Sequence, residues 1–284
     1  MGEFMKRILL VILVLVLGVQ SKADELINGS FSKLGLNFAY LAHNAGKSHI
    51  DSLHIALHYD SYSIFENGFV WGSDAMLGGS TGNINKHYPL QGTENLTSQK
   101  SPVGSVNLFF DGLIYVGYSL IRRSVDMPLY IGTGYKFATF LSVSINTPAA
   151  GQILASYLPI ELRGDIRVRP RVAFEYLLAY DIGLSQSLLV QYDAGDNKRN
   201  LSMNRGYGLR LSVGGRYYVS KETFFYTNIL ASYQSFGASE SATISIAQPP
   251  AGSSGTPGYL PGSAVVSYPR SSISYVGLRF GIGF

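Results

Sequence analysis

From residue 31 to residue 284, apolar side chains recur at every second position in one stretch after another, and after residue 23 no apolar run is long enough for a spanning helix. A strand sends alternate side chains to opposite faces, so this periodicity restricts the chain to β architecture. The last stretch shows it clearly. Val276, Leu278, Phe280, Ile282 and Phe284 alternate with Tyr275, Gly277, Arg279, Gly281 and Gly283. Leu53, Ile55, Leu57 and Tyr59 likewise alternate with Ser52, His54, Ala56, His58 and Asp60. In both stretches one face is apolar and the other is small or polar.

This pattern predicts strands over 31–43, 49–60, 67–80, 104–121, 128–143, 154–165, 170–193, 205–219, 222–237 and 271–284. The connections alternate between short and long. Those at 61–66, 122–127, 166–169 and Ser220-Lys221 are short; 81–103, 144–153, 194–204 and 238–270 are longer, and 44–48 is shorter than this alternation implies. Only helices and closed barrels satisfy their backbone polar groups within lipid. Up-and-down membrane barrels combine even strand numbers, short turns at one end and long loops at the other. The expected fold is therefore all-β, a transmembrane antiparallel barrel of about ten strands. Eight or twelve strands also satisfy the parity, because 170–193 is long and Asp181-Ile182-Gly183 offers a turn that would split it.

Composition agrees. Charged residues make up 14% of the chain, against roughly 25% in soluble domains. Its many Tyr and Phe suit aromatic girdles at two membrane interfaces. The absence of Cys excludes disulfides, thiolate metal sites, Cys nucleophiles and a lipid anchor on Cys. Residues 1–23 read as a secretory signal peptide. Lys6-Arg7 precedes the apolar stretch Ile8 to Val19, which is shorter than the roughly 20 residues of a spanning helix, and Ser21-Lys22-Ala23 places cleavage before Asp24. Met5 fits a natural start, with residues 1–4 an added or upstream leader. That segment holds Lys6, Arg7 and Lys22 against Glu3, half of the formal charge of +4, so no nucleic-acid partner is expected.

The ending on Phe284, together with Tyr275, Val276, Leu278, Phe280 and Ile282, resembles the C-terminal assembly signal of bacterial outer-membrane β-barrels. In general plan residues 24–284 are similar to opacity-like and OmpA-like barrels and to the ten-stranded omptin proteases. Tyr157-Leu158-Pro159-Ile160-Glu161-Leu162-Arg163 resembles the L-x-I-P-L strand of the opacity-like group. The resemblance implies a bacterial outer-membrane location, outer-membrane lipid and lipopolysaccharide as surroundings, handling by the barrel-assembly machinery through the last strand, and a monomer.

The inward face is expected to carry His54, His58, Asp60, Asp111, Lys136, Glu161, Arg163, Glu175, Arg210, Arg216 and Arg279. Unpaired buried charges are expensive, so these residues form either an ion-pair network that fills the lumen or the lining of a narrow pore. His54 and His58 stand four positions apart on a strand, about 13 Å, too far to share one metal ion. No metal or other cofactor is expected. His43, His49 and Asp51 flank the first loop, and Asp193 and Asp196 lie on another. The omptin resemblance implies Asp and His groups at the outer rim, and lipid-acting outer-membrane hydrolases use Ser with His; Ser48-His49-Ile50-Asp51-Ser52 puts these types together, and His49 and Asp51 are the best candidates for a rim hydrolase. Ala45-Gly46-Lys47-Ser48 lacks the first glycine and the following helix of a phosphate-binding loop. The long segments 81–103 and 238–270 are candidate binding loops. The leading expectation is a non-enzymatic surface protein with loop-mediated adhesion or interaction with an extracellular ligand. A narrow porin-like channel for small solutes is the alternative, and a rim hydrolase the third reading.

Overall fold

The computed structural model describes residues 29–46, 48–65, 67–84, 103–119, 129–144, 149–192, 198–220, 222–246 and 262–284. The expected signal peptide at 1–23, most of the 81–103 loop, Asp193 and Asp196 lie outside the described residues.

Thirteen strands are present among them, in chain order β1 (Gly29–Ala45), β2 (Ser48–Ile64), β3 (Phe69–Ile84), β4 (Val103–Ser119), β5 (Leu129–Ser144), β6 (Ala149–Arg169), β7 (Val172–Tyr192), β8 (Lys198–Met203), β9 (Tyr207–Tyr218), β10 (Phe224–Phe236), β11 (Ala242–Ile246), β12 (Gly262–Val266) and β13 (Ser271–Gly283). Each of β1 to β6 pairs antiparallel with the next. β13 joins β1 to β10, β10 pairs with β9, and β9 with β7. Pairing of β7 with β6 closes the ring. The result is a ten-stranded closed antiparallel barrel, and no helix occurs among the described residues. At the seam, Ser32 and Phe284 exchange both backbone hydrogen bonds at 2.8 and 2.9 Å.

All ten expected wall strands are present, and the long one is not split. β7 runs unbroken from Val172 to Tyr192. Its first half pairs with β9 and its second half with β8. β8 and β9 therefore act as one wall strand interrupted at 204–206, where the Gly183 N–H donates to the Gly206 carbonyl at 3.1 Å. The 194–204 segment, expected as a loop, is thus largely wall. Leu201 and Met203 face inward while Ser202 faces out, the same period-two rule on a polar background. The 238–270 segment likewise contains the β11–β12 hairpin. The short turn expected at 166–169 falls instead at Pro170-Arg171, with β6 continuing to Arg169. Proline has no N–H for a ladder and a φ preset for a turn. Pro159 interrupts the β5–β6 ladder for the same reason; the Thr133 hydroxyl donates to its carbonyl at 2.8 Å.

Outward side chains form a continuous apolar band. It includes Leu34 to Tyr40 on β1, Leu53 to Tyr59 on β2 and Val276 to Phe284 on β13. Seven to nine residues per strand is close to the length a tilted strand needs to cross a hydrocarbon core, about 9–11. Aromatic residues mark both edges. Trp71, Tyr118, Tyr217 and Phe225 lie toward the end that holds residues 29 and 284, here the terminal end. At the opposite, loop end, Tyr180 and Tyr207 stack at 6.0 Å and Tyr207 meets Tyr233 at 5.9 Å. Beyond that edge the wall continues in the earlier part of β6, the later part of β7 and in β8.

Candidate functional site in the barrel lumen

Inward side chains fill the barrel in three tiers. At the terminal end, Phe31, Tyr62, Ile64, Val70, Tyr115, Tyr130, Tyr218, Phe224 and Tyr226 form an aromatic floor. At the loop end, Phe109, Phe140, Ile153, Leu188, Met203, Phe236, Val266 and Tyr268 belong to an apolar plug. Between them lies a belt of charge.

From Lys33 to Asp111 the belt is one connected chain of contacts. Lys33 Nζ meets Glu175 Oε1 at 2.7 Å and Asp60 at 3.6 Å. Asp60 lies 3.6 Å from Arg163, whose Nε donates to Glu161 at 2.8 Å. Arg210 then bridges Glu161 at 2.6 Å and Asp181, to which it donates twice, at 2.8 and 3.0 Å. Lys136 joins Asp181 at 2.9 Å to Asp111 at 3.0 Å. On the terminal side Arg216 pairs with Glu175 and reaches Asp165 at 3.2 Å and the Tyr62 hydroxyl at 2.9 Å. His58 Nε2 meets Asp74 at 3.1 Å, and Arg279 donates to Asn37 at 2.8 Å. Asn228 on β10 donates to Glu175 at 3.2 Å, so each of the ten wall strands contributes a polar side chain, from Lys33 on β1 to Arg279 on β13. The floor supports the belt from below: the Arg163 guanidinium sits 4.2 Å from the Tyr115 ring centre and that of Arg216 4.8 Å from Phe224, which favours cation–π attraction.

All eleven inward residues expected from the alternation lie in the lumen. The structure adds Lys33, Asp74, Asp165 and Asp181. Their parity was readable: Lys33 precedes the outward Leu34, Leu36 and Phe38 by an odd step, and Asp181 shares the face of Glu175. Charges nearly balance: Asp60, Asp74, Asp111, Glu161, Asp165, Glu175 and Asp181 oppose Lys33, Lys136, Arg163, Arg210, Arg216 and Arg279. Cavities of about 50 Å³ beside Lys33 and Asp165 and about 40 Å³ beside Asp111 and Arg210 are the size of one or a few waters.

His54 is buried edge-on against Phe109 at 6.0 Å, apart from the belt. No group of three metal-ligating side chains gathers among the described residues. His49 and Asp51 lie on the outer surface of the wall near the β1–β2 turn, where Gly46 adopts a φ of 60°. Asp51 accepts from His49 at 2.7 Å and also from the Tyr40 hydroxyl, and the other His49 nitrogen meets Asn44 Oδ1. Both imidazole nitrogens are thus engaged by neighbours on the wall, one by Asp51 and the other by Asn44. His43, expected at the rim beside them, instead points into the plug and is 3% exposed. Of the last strand's signal residues, Tyr275 faces the lumen, whereas Val276, Leu278, Phe280, Ile282 and Phe284 face outward.

No protein-family model matches the chain, and no curated protein matches it. Among solved structures, similarity extends to the outer-membrane protease OmpT of Escherichia coli, at 11% identity and a TM-score of 0.52, covering 92% of this chain and 99% of that one. The translocator domain of the autotransporter NalP of Neisseria meningitidis aligns at 10% identity and a TM-score of 0.45, over 100% of this chain and 95% of that one. The toluene transporter TodX of Pseudomonas putida aligns at 10% identity and a TM-score of 0.30, over 92% and 90%. The OmpT likeness establishes the fold: this chain is built as outer-membrane barrels are.

Proposed function

We propose that the chain is a non-enzymatic protein of the bacterial outer membrane whose barrel is a rigid base for an outer face that contacts an extracellular ligand. One observation carries this reading: the charge belt from Lys33 to Asp111 spans the lumen, and the cavities beside Lys33 and beside Asp111 are water-sized. A solute path would have to break several buried ion pairs at once, each costly to open. The apolar band, its aromatic edges and the fold support the membrane location. The wall beyond the band, with β8 and the β11–β12 hairpin, supplies the outer surface. Lipid and lipopolysaccharide surround the band, and the outward row of the last strand is the part the assembly machinery reads. The geometry of His49 and Asp51 argues against a rim hydrolase at that position.

Residues 24–284, refolded into a planar bilayer, are expected to give no discrete conductance steps while the protein is folded and inserted. Deleting 242–266 is expected to abolish binding of the protein to its target surface with the barrel intact. Steady openings would establish the channel reading in its place.

A further inference from the structure

The loop end of the lumen is covered by chain that is attached very differently on its two sides. On the β8 side the attachment is backbone. The Asn204 N–H donates to Ala238 at 3.0 Å, the Glu240 N–H to Ser202 at 2.9 Å, and the Ser202 N–H to the Glu240 carboxylate at 2.9 Å. Arg199 adds a bond to the Thr243 carbonyl at 3.4 Å. On the opposite side β12 pairs only with β11 among the described residues, and makes no ladder with β13 or β1. There the chain runs on through Pro269 and Arg270 into β13, and its contact with β1 is made by side chains. Val266 and Tyr268 are each 1% exposed and sit in the plug. The Tyr268 hydroxyl meets His43 Nε2 on β1, the strand that pairs with β13, at 2.9 Å. Tyr268 is itself fixed to the backbone-anchored side: its N–H donates to Ser239 Oγ at 2.7 Å and its carbonyl accepts from the Ser239 N–H at 2.9 Å.

We infer that the β11–β12 hairpin together with Tyr268 is a hinged cap over the outer lumen, hinged on β8, latched by the Tyr268–His43 bond, and released when His43 takes up a proton. This does not depend on what the outer face binds. The surroundings of His43 make the latch proton-sensitive. It faces Ile50 on β2, Phe140 and Ser142 on β5, Gly151 and Ile153 on β6, Leu188 on β7 and Tyr268, around a cavity of about 10 Å³; its neighbour in register on β13 is Ile273. Tyr268 is the titratable group among these, and His49 is the nearby base whose charge acts on it. No carboxylate faces it among the described residues. Its Nδ1 has no protein partner. The neutral ring shares one hydrogen bond with the Tyr268 hydroxyl, at Nε2. A second ring proton leaves a cation in an apolar plug with Nδ1–H facing no acceptor, which is unfavourable. His43 lies three residues beyond Tyr40, outside the apolar band, and burial together with His49 lowers its pKa to about 4 from 6.5. In the open state solvent restores the ordinary value. Protonation then shifts the open-to-closed ratio by up to about 300-fold, the factor equivalent to that pKa difference.

The chain has no cysteine, so one nitroxide reports the cap cleanly. It is placed on Val265→Cys, at a position 66% exposed on β12, in the full refolded barrel. Spin-label mobility is followed from pH 8 to pH 4. The label is expected to be immobile at pH 8 and to become mobile with a midpoint between 4 and 6.5, while electrophoretic heat-modifiability shows that the barrel stays folded. With His43→Gln the transition disappears. With Tyr268→Phe, which keeps the ring and removes the latch, the label is mobile already at pH 8. A spectrum unchanged across this range in the unaltered background, or the same transition in His43→Gln, overturns the inference. Should His43→Gln not fold, Tyr268→Phe decides the matter alone: a label as immobile as before at pH 8 means that the bond does not hold the cap.

Discussion

Lys136 Nζ and Asp181 Oδ2 meet at 2.9 Å with neither side chain reaching solvent. The pair links β5 to β7, and through Asp111 and Arg210 it ties β4 and β9 to the same node. Buried pairs of this kind add little net stability over apolar packing, but removing one partner strands the other and costs about 3–5 kcal/mol. Lys136→Met leaves Asp181 with Arg210 and leaves Asp111 with only a 3.5 Å contact to Gln234. The expected loss is in that range, read from urea unfolding of the refolded barrel. Adding Asp111→Asn should recover part of it, because the stranded charge is removed as well. Arg205→Ala, at an exposed position, should change stability by no more than about 0.5 kcal/mol.

Close packing inside the wall makes Gly72 sensitive to any side chain. A Cβ there would lie 2.6 Å from Cζ and the hydroxyl of Tyr115, the ring on which Arg163 rests. Gly72→Val is therefore expected to destabilise by about 1–3 kcal/mol through overpacking. It should also loosen Arg163, seen as faster amide exchange around Glu161. Gly79 faces outward, and its nearest neighbours would lie 3.3 Å from an added Cβ, so Gly79→Ala should be close to neutral in the same assay.

The alternation of Leu53, Ile55 and Leu57 with His54, Ala56 and His58 made strand, face and barrel readable, because period two ties each side chain to one environment. The same rule placed the eleven inward residues. Reading failed where composition masked the rule. Lys198 to Met203 alternates on a polar background, since this piece of wall stands beyond the apolar band and has no need of a lipid-facing side. Ala242 to Ile246 alternates too, but within a Ser-, Gly- and Pro-rich stretch, and Gly262 to Val266, with Ala264, Val265 and Val266 in a row, does not. Which cation meets which carboxylate was not readable, because the register offsets around a tilted barrel decide it. Nor was the meeting of Tyr268 with His43, which are 225 positions apart.

Phe284 should matter more for assembly than for stability. Its backbone closes the seam with Ser32, whereas its side chain is 57% exposed at the edge of the band. Phe284→Ala keeps the backbone bonds. The purified variant is expected to refold with an unfolding midpoint close to that of the parent, while the amount of folded protein in cell outer membranes falls severalfold. Deletion of Phe284 also removes the two seam bonds and should lower the midpoint as well.

Stability should depend on pH through His43 in a defined direction. Its folded pKa of about 4 lies below the ordinary 6.5, so between those values the unfolded chain binds the extra proton. The contribution of a neutral His43 is therefore complete above pH 6.5, declines as pH falls, and is exhausted near pH 4. At 1.36 kcal/mol per pH unit, the loss approaches about 3 kcal/mol. Acid also acts on the lumenal carboxylates, so the measured quantity is the difference in unfolding free energy between the parent and His43→Gln, taken at each pH. That difference should fall steadily from pH 6.5 toward pH 4 if the cap and the barrel unfold together. If the cap opens first, the protonated ring reaches solvent without unfolding the wall. The difference then levels off early, at the free energy needed to break the Tyr268 latch, and the plateau measures how firmly the cap is held.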